Sequence, residues 1–414
     1  MNILFITLAD ICSLQERGVY PDLMREFIAN GHFVAMISPT VSKNIGQCTA
    51  FQEENALIIK LPSGSIQKTN VIQKTVNTLT LDARIKRVIA AELSRIKFDI
   101  VLYSTPPVTL TQAVRYVKKR DNARTYLLLK DIFPQNAVDL DMLRTGGVMG
   151  LIHKFFRAKE SELYRLSDNI GCMSPANVTY LLANNPDISP SHVEVCPNSI
   201  EPKSSVLSEA ERTHWRAKYD LPLDRPIFVY GGNIGKPQGV DFIVECLKAN
   251  EALPRAFFLI VGSGTEFARL QAYFASATPK HARLIAHLER QEYESLCAAC
   301  DVGLIFLDHR FTIPNFPSRL LTCMDASMPI LAATDRSTDL GTIIEGGQFG
   351  LWCESTKVED FMHQVEKLCA PALRQQMGQA AREYLEKHYT AQHSYNIIMN
   401  RFTGGKICST AKSC

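Results

Sequence analysis

Val229-Tyr230-Gly231-Gly232-Asn233-Ile234-Gly235-Lys236-Pro237-Gln238-Gly239-Val240 is the most informative stretch of this 414-residue chain. The β-branched and aromatic residues 226–230 lead into it and an amphipathic segment follows, so the glycines occupy a strand-to-helix turn. Four glycines and one lysine fall within residues 231–239, where a turn alone needs one or two. Glycine lets the backbone approach an anion closely, and Lys236 neutralises it. The Gly-Lys-Ser/Thr ending of a Walker loop is missing. Strand, glycine turn and helix together predict a parallel α/β unit with an anion site at the strand's carboxyl end.

The same alternation runs outward in both directions. Downstream, residues 256–261, 282–286, 302–306, 330–333 and 350–353 read as further strands. Upstream, residues 3–8, 33–38, 56–60, 100–103, 125–129 and 169–173 do so, with helices over 20–30, 82–96, 110–120 and 152–166 between them. The reading is an α/β chain of two Rossmann-like, doubly wound domains, 1–205 and 206–390. Residues 391–414 are expected to be a helix that returns to the first domain, followed by a tail. Two such domains imply a ligand cleft between their strand ends.

Composition narrows the function. With 46% hydrophobic and 21% charged residues the chain is globular. Lys+Arg 45 against Asp+Glu 42 leaves a net charge of +3, too little for a dedicated nucleic-acid binder. No apolar run reaches the roughly 18–20 residues of a membrane span. Residues 1–8 lack a basic segment and a cleavage site, so they read as a core strand and the expected location is cytoplasmic. The twelve cysteines are scattered, and the Cys297/Cys300 pair has no second pair to complete a zinc site. They read as thiols.

Further loops carry chemistry. Gly262-Ser263-Gly264 follows the next strand and is expected to line the same pocket. In Ile313-Pro314-Asn315-Phe316-Pro317-Ser318-Arg319, Pro317 suits a first helical turn, whose free N–H groups and Arg319 would hold a phosphate. In the first domain Lys130 and Asp131 end an apolar strand, where active-site groups project. Glu16, Arg17 and Gly18, in the first strand-to-helix loop, are the expected acceptor-side residues. Asp139 and Asp141 read as surface carboxylates rather than a metal site. Residues 144–157 set Arg144, His153, Lys154 and Arg157 among Leu151, Ile152, Phe155 and Phe156, a basic amphipathic pattern suited to an anionic lipid surface.

Taken in order, Lys130-Asp131-Ile132-Phe133-Pro134, Tyr164-Arg165-Leu166-Ser167-Asp168, Pro197-Asn198, the glycine loop, Val261-Gly262-Ser263-Gly264, Asp301-Val302-Gly303-Leu304 and Ile313-Pro314-Asn315-Phe316-Pro317-Ser318 resemble the retaining glycosyltransferases of family 4, which have the GT-B fold. The likeness spans nearly the whole chain and is greatest for enzymes of bacterial capsule, O-antigen and exopolysaccharide synthesis. It implies transfer of a sugar from a nucleotide-diphosphate sugar, expected to be UDP-linked, to a polyprenyl-diphosphate-linked glycan, with retention and no metal cofactor. Gly232, Asn233, Gly235, Lys236, Gly262, Gly264, Asn315, Phe316, Pro317, Ser318 and Arg319 are then the donor-binding set. Lys236 and Arg319 stabilise the leaving diphosphate, and Asp131 with Lys130 orients the acceptor. The family's paired glutamates, eight positions apart, are replaced here by Pro314 and Thr322. That departure allows a rival reading, a non-catalytic assembly partner of the same fold, and weakens a second, a sugar-nucleotide 2-epimerase, which depends on such carboxylates. The lipid-linked acceptor implies a peripheral position at the inner face of the plasma membrane.

Overall fold

The computed structural model describes residues 1–40, 48–62, 71–203 and 207–404, the side chains of 71–79 excepted. Cys408 and Cys414 of the tail, and the residues about the expected 205/206 boundary, lie outside that set. The chain forms two compact bodies. One comprises Met1–Glu201 with Ala391–Cys414, the other Pro202–Thr390.

The first body is an eight-stranded sheet of β1 (Asn2–Ile6), β2 (Phe33–Thr40), β3 (Thr49–Glu53), β4 (Ala56–Pro62), β5 (Ile100–Ser104), β6 (Arg124–Leu129), β7 (Asn169–Cys172) and β8 (Val193–Val195). Their order is β3-β4-β2-β1-β5-β6-β7-β8. All neighbours run parallel except β3, which pairs antiparallel with β4. The apolar runs form strands because both faces of the sheet are covered, which parallel strands require. Leu4, Ile6, Val101 and Leu127 face one core, Ile3, Phe5, Leu102 and Leu128 the other. The sequence reading missed β3 and β8. The first is half-exposed at an edge and the second has only three residues, so neither carries a long apolar run.

The helix Ala391–Thr403 belongs to this body. Tyr395, Ile398 and Met399 enter the second core beside Phe27. The Tyr395 hydroxyl lies 3.0 Å from His32 Nε2, Arg401 bonds Glu194 at 2.9 Å, and the Arg124 guanidinium sits 4.4 Å from the Phe402 ring centre. The closing stretch 371–402 is thus two helices, Pro371–His388 and Ala391–Thr403, on different bodies.

The second body is a six-stranded parallel sheet of β9 (Ile227–Asn233), β10 (Phe257–Ser263), β11 (Ala282–Ile285), β12 (Val302–Phe306), β13 (Ile330–Thr334) and β14 (Gly350–Glu354), in the order β11-β10-β9-β12-β13-β14. Phe228, Phe258, Phe306 and Phe361 form its aromatic centre. Asp325, buried, accepts from the Lys203 amide at 2.9 Å and from Arg382 at 3.0 Å, fastening the body's first residues to its last long helix.

Ile398→Ala empties a fully buried site under the returning helix. It should lower the unfolding free energy by about 2–5 kcal/mol, read by urea denaturation, whereas the exposed Leu223→Ala should be near neutral.

Candidate functional site

In open α/β sheets a ligand sits outside the carboxyl ends of the strands where the strand order reverses. In the second body that point lies between β9 and β12. The glycine loop leaves β9 there, and β12 leads through Asp308 to Arg319.

Backbone contacts build the glycine loop. A Cβ on Gly262 would stand 1.9 Å from the Gly232 carbonyl oxygen, and one on Gly264 2.3 Å from that of Ile234. Only glycines let β10's loop close on β9's. The contact is completed by the Ile234 amide donating to Ser263 O at 2.9 Å and the Glu266 amide to Ile234 O at 3.0 Å. Gln238 Oε1 accepts from the Gly235 amide at 3.0 Å and from Asn233 Nδ2 at 3.2 Å. The Gln238 and Gly239 amides turn back on Gly235 O and Lys236 O, each at 3.1 Å. The expected cradle of main-chain amides is corrected accordingly: the amides of 234, 235, 238 and 239 are engaged within the protein. Asn233 and Gln238 shape the loop, and its exposed charged group is Lys236.

Arg319 lies beside this loop. Its guanidinium carbon is 4.3 Å from the Tyr230 ring centre, and a Cβ on Gly232 would meet it at 3.7 Å. Its Nη1 is buried with no hydrogen-bond partner, as is Nδ2 of Asn315. Buried donors are ordinarily paired, so each of these two groups is suited to an acceptor from outside the protein. The chain reaches Asn315 on polar clamps. Asp335 accepts from the Ser337 and Thr338 amides, and Thr338 Oγ1 donates to Asn315 O at 2.7 Å. Phe316 is turned inward, its ring 6.0 Å from that of Tyr389, so its side chain anchors the segment. The helix starts at Arg319 rather than Pro317, with Ser318 exposed as its N-cap. It has only seven residues, and the Leu320 and Leu321 amides bond Pro317 O and Ser318 O. The expected anion seat at a helix start therefore reduces to the Arg319 side chain. At the opposite rim Asp308 donates its amide to Pro237 O at 2.9 Å and holds Arg310 at 2.9 Å. Burial works to raise the Asp308 pKa, but the arginine outweighs it and keeps the carboxyl below its usual range.

In the first body the strand order reverses between β1 and β5. Thr105, just past β5, receives the Lys130 and Asp131 amides on its hydroxyl at 3.0 and 3.3 Å. Lys130 Nζ donates to Cys196 O at 3.1 Å, and burial lowers its pKa. Both carboxylate oxygens of Asp131 accept from Asn136 Nδ2, at 2.9 and 3.0 Å. Nearby Glu160 is buried, which raises its pKa, and is held by Tyr164 at 2.7 Å and by Arg157. At the end of β1, Arg17 donates to Glu201 O at 3.0 Å and the Gly18 amide to Asp22 at 2.9 Å, while the Glu16 side chain is exposed. One strand, β5, lies between the ends that carry Arg17 and Asp131, so two strand spacings, roughly 10 Å, separate them.

Three residues escaped the sequence reading. Tyr230 looks like any strand aromatic until Arg319 is seen on its ring. Thr105 precedes two prolines and reads as a turn. Lys60 is buried in β4 and ties Asp10, Ile11 O at 2.8 Å and Ser38 at 3.3 Å under the first loop; a lysine inside Ile58-Ile59-Lys60-Leu61 was the available signal. Tyr164 and Asp168 act locally, the latter on Thr125 and Lys118. Asp139 accepts from Gln135 at 2.8 Å. Among the described residues no three His, Cys, Asp or Glu side chains come together as a metal site.

The basic helix Gly147–Leu166 is more selective than its sequence suggested. Phe155 and Phe156 pack on the core and Arg157 turns to Glu160. Val148 and Leu151 project, 77% and 68% exposed, next to exposed Met142, Arg144 and Lys154.

Gly262→Ala should cost about 1–3 kcal/mol through the collision with Gly232 O, measured by chemical denaturation. Gly346→Ala, where a Cβ meets nothing within 4 Å, should be neutral or stabilising.

Comparison with known proteins agrees with this geometry. Residues 211–384 match the family described as glycosyl transferases group 1. The chain is 22% identical over 299 residues to the probable glycosyltransferase WbjE of Pseudomonas aeruginosa, across 70% of this chain and 71% of that protein. It is 24% identical over 315 residues to the putative colanic acid biosynthesis glycosyl transferase WcaI of Escherichia coli K12, across 75% of each. Anabaena HepE in complex with UDP-glucose has a TM-score of 0.65 at 12% identity, across 98% of this chain and 100% of that one. With its reversed strand order, glycine loop and Arg319 all inside the matched segment, the chain carries a glycosyl transferases group 1 domain and has the GT-B fold.

Proposed function

We propose that this chain transfers a sugar from a UDP-linked donor to a polyprenyl-diphosphate-linked glycan, with retention at the anomeric carbon, in the synthesis of a cell-surface polysaccharide. The observation that carries the reading is the unpartnered Nη1 of Arg319 beside Gly232 at the reversal of the second sheet. HepE holds UDP-glucose on the same fold, and WcaI supports the polysaccharide setting.

The chemistry follows from charge. Breaking the bond between the anomeric carbon and the β-phosphate oxygen builds negative charge on the departing diphosphate. Arg319 and Lys236 stabilise it as it forms. The acceptor oxygen bonds to the anomeric carbon and its proton passes to the leaving phosphate, so no separate base is required. Asp131, fixed by Asn136, orients the acceptor hydroxyl as a hydrogen-bond acceptor. Lys130 is turned to Cys196 O and supports the same loop. Glu16 and Arg17 contact the acceptor from the first loop.

Mass-spectrometric assay of the full chain against a panel of sugar nucleotides and lipid-linked acceptors should show transfer, with the product anomer matching the donor by NMR. Arg319→Ala should lower kcat by about 10²–10³-fold with the fold intact. Epimerisation of UDP-GlcNAc alone, or UDP binding without transfer across the whole panel, would replace this reading with one of its rivals.

We infer further that the chain works at an anionic bilayer surface. No helix among the described residues is long and apolar enough to cross a membrane. Val148 and Leu151, one turn apart on the helix, are exposed apolar groups with exposed Lys154 a further turn on and exposed Met142 and Arg144 just before the helix, an arrangement suited to the headgroup boundary. Vesicles containing phosphatidylglycerol should co-sediment the protein and release it as salt rises. The Val148→Ser/Leu151→Ser double variant should lose this binding while keeping its melting temperature.

A further inference from the structure

We propose that Tyr230 is the positioning residue that seats Arg319 and the glycine loop as one unit, ready for a diphosphate. The inference rests on the reading that Arg319 receives the donor's diphosphate.

Tyr230 lies in β9 with its side chain fully buried. It performs two separate tasks. Its hydroxyl donates to Asn233 O at 2.6 Å, bending the backbone as it leaves the strand. Its ring face lies 4.3 Å from the Arg319 guanidinium carbon. The loop segment Gly231-Gly232 runs between the two contacts, and a Cβ on Gly232 would fall 3.7 Å from that guanidinium. The ring also packs on Phe306, centre to centre at 5.9 Å, so it is held by the core.

The choice of partner has a physical consequence. Arg319 is half-buried with Nη1 shut off from solvent, and an arginine in such a place is usually held by a carboxylate, which cancels its charge. Arg319 makes no ion pair among the described residues. An aromatic face attracts a guanidinium through its quadrupole while contributing no net charge, and the Tyr230 hydroxyl, which the guanidinium also approaches, is likewise neutral. The cation is therefore fixed in place with its full charge and with Nη1 unpartnered. A diphosphate can bond it without first displacing an internal anion. Because the same ring carries the hydroxyl that sets Asn233, the loop that bears Lys236 and the arginine are placed by a single side chain.

Calorimetric titration of the full chain with UDP tests this as a double-variant cycle. Tyr230→Leu should weaken UDP binding by about 3–30-fold, the range a desolvated cation–aromatic contact supports. In an Arg319→Ala background the same change should weaken it by less than about twofold further, because the seated group is gone. Tyr230→Phe, which keeps the ring, should restore most of the Arg319-dependent part. Equal losses in both backgrounds would reduce Tyr230 to a packing residue and overturn the proposal. Wild-type UDP affinity in Arg319→Ala alone would instead remove the parent reading. Should Tyr230→Leu not fold, the wild-type protein supplies the test. The Arg319 δ-methylene protons should be shifted upfield by the ring current and stay so when UDP binds; ordinary shifts would overturn the proposal.

Discussion

The loops at the reversal of the second sheet depend on one close approach, the Gly262 backbone against the carbonyl oxygen of Gly232. Any side chain at that point would part β9 from β10 where both strands end. With the side chain absent, the second loop supplies the acceptor for Ile234 and receives Glu266 in return. The first loop is thus held by hydrogen bonds to its neighbour and within itself. The amides of 234, 235, 238 and 239 serve the loop itself, while Lys236 stands exposed on it and Arg319 lies beside it.

The first body solves a comparable problem with polar clamps. Thr105 takes two successive amides of the β6 loop, while Lys60 and Glu53 draw in the loop after β1. These groups are buried or half-buried and paired, which is how irregular backbone is tolerated at the ends of buried strands. The result is an Asp131 carboxylate whose two oxygens both accept from Asn136, at the end of a loop whose backbone is pinned to Thr105.

The strands of both sheets were legible because buried parallel strands have to be continuously apolar, and the glycine loop because its glycines exceed what a turn requires. Edge strand β3 was not legible: it pairs on one side and half its residues face solvent. Asp308, Gln238 and Thr105 were invisible for a different reason. Each is a common polar residue in a loop, and its role comes from a backbone partner far away in sequence or from a local turn no pattern specifies. Arg319 was legible as a charge near a proline turn, but not its seat, since Tyr230 lies 89 positions earlier and has every property of an ordinary core aromatic. The amphipathic helix shows the opposite error. Its sequence promised a basic amphipathic surface, but core packing claimed both phenylalanines and Glu160 claimed Arg157.

The return of the helix Ala391–Thr403 to the first body has a bearing on biosynthesis. A ribosome delivers residues 1–201 first, yet the groove formed by Phe27, His32 and Tyr126 lacks its cover until the last helix emerges. With translation adding about 5–20 residues per second, the intervening 202–390 segment keeps that groove open for roughly 10–40 s. Over that interval the nascent chain presents an apolar surface of the kind holding chaperones recognise, and the enzyme's first half matures only after its second.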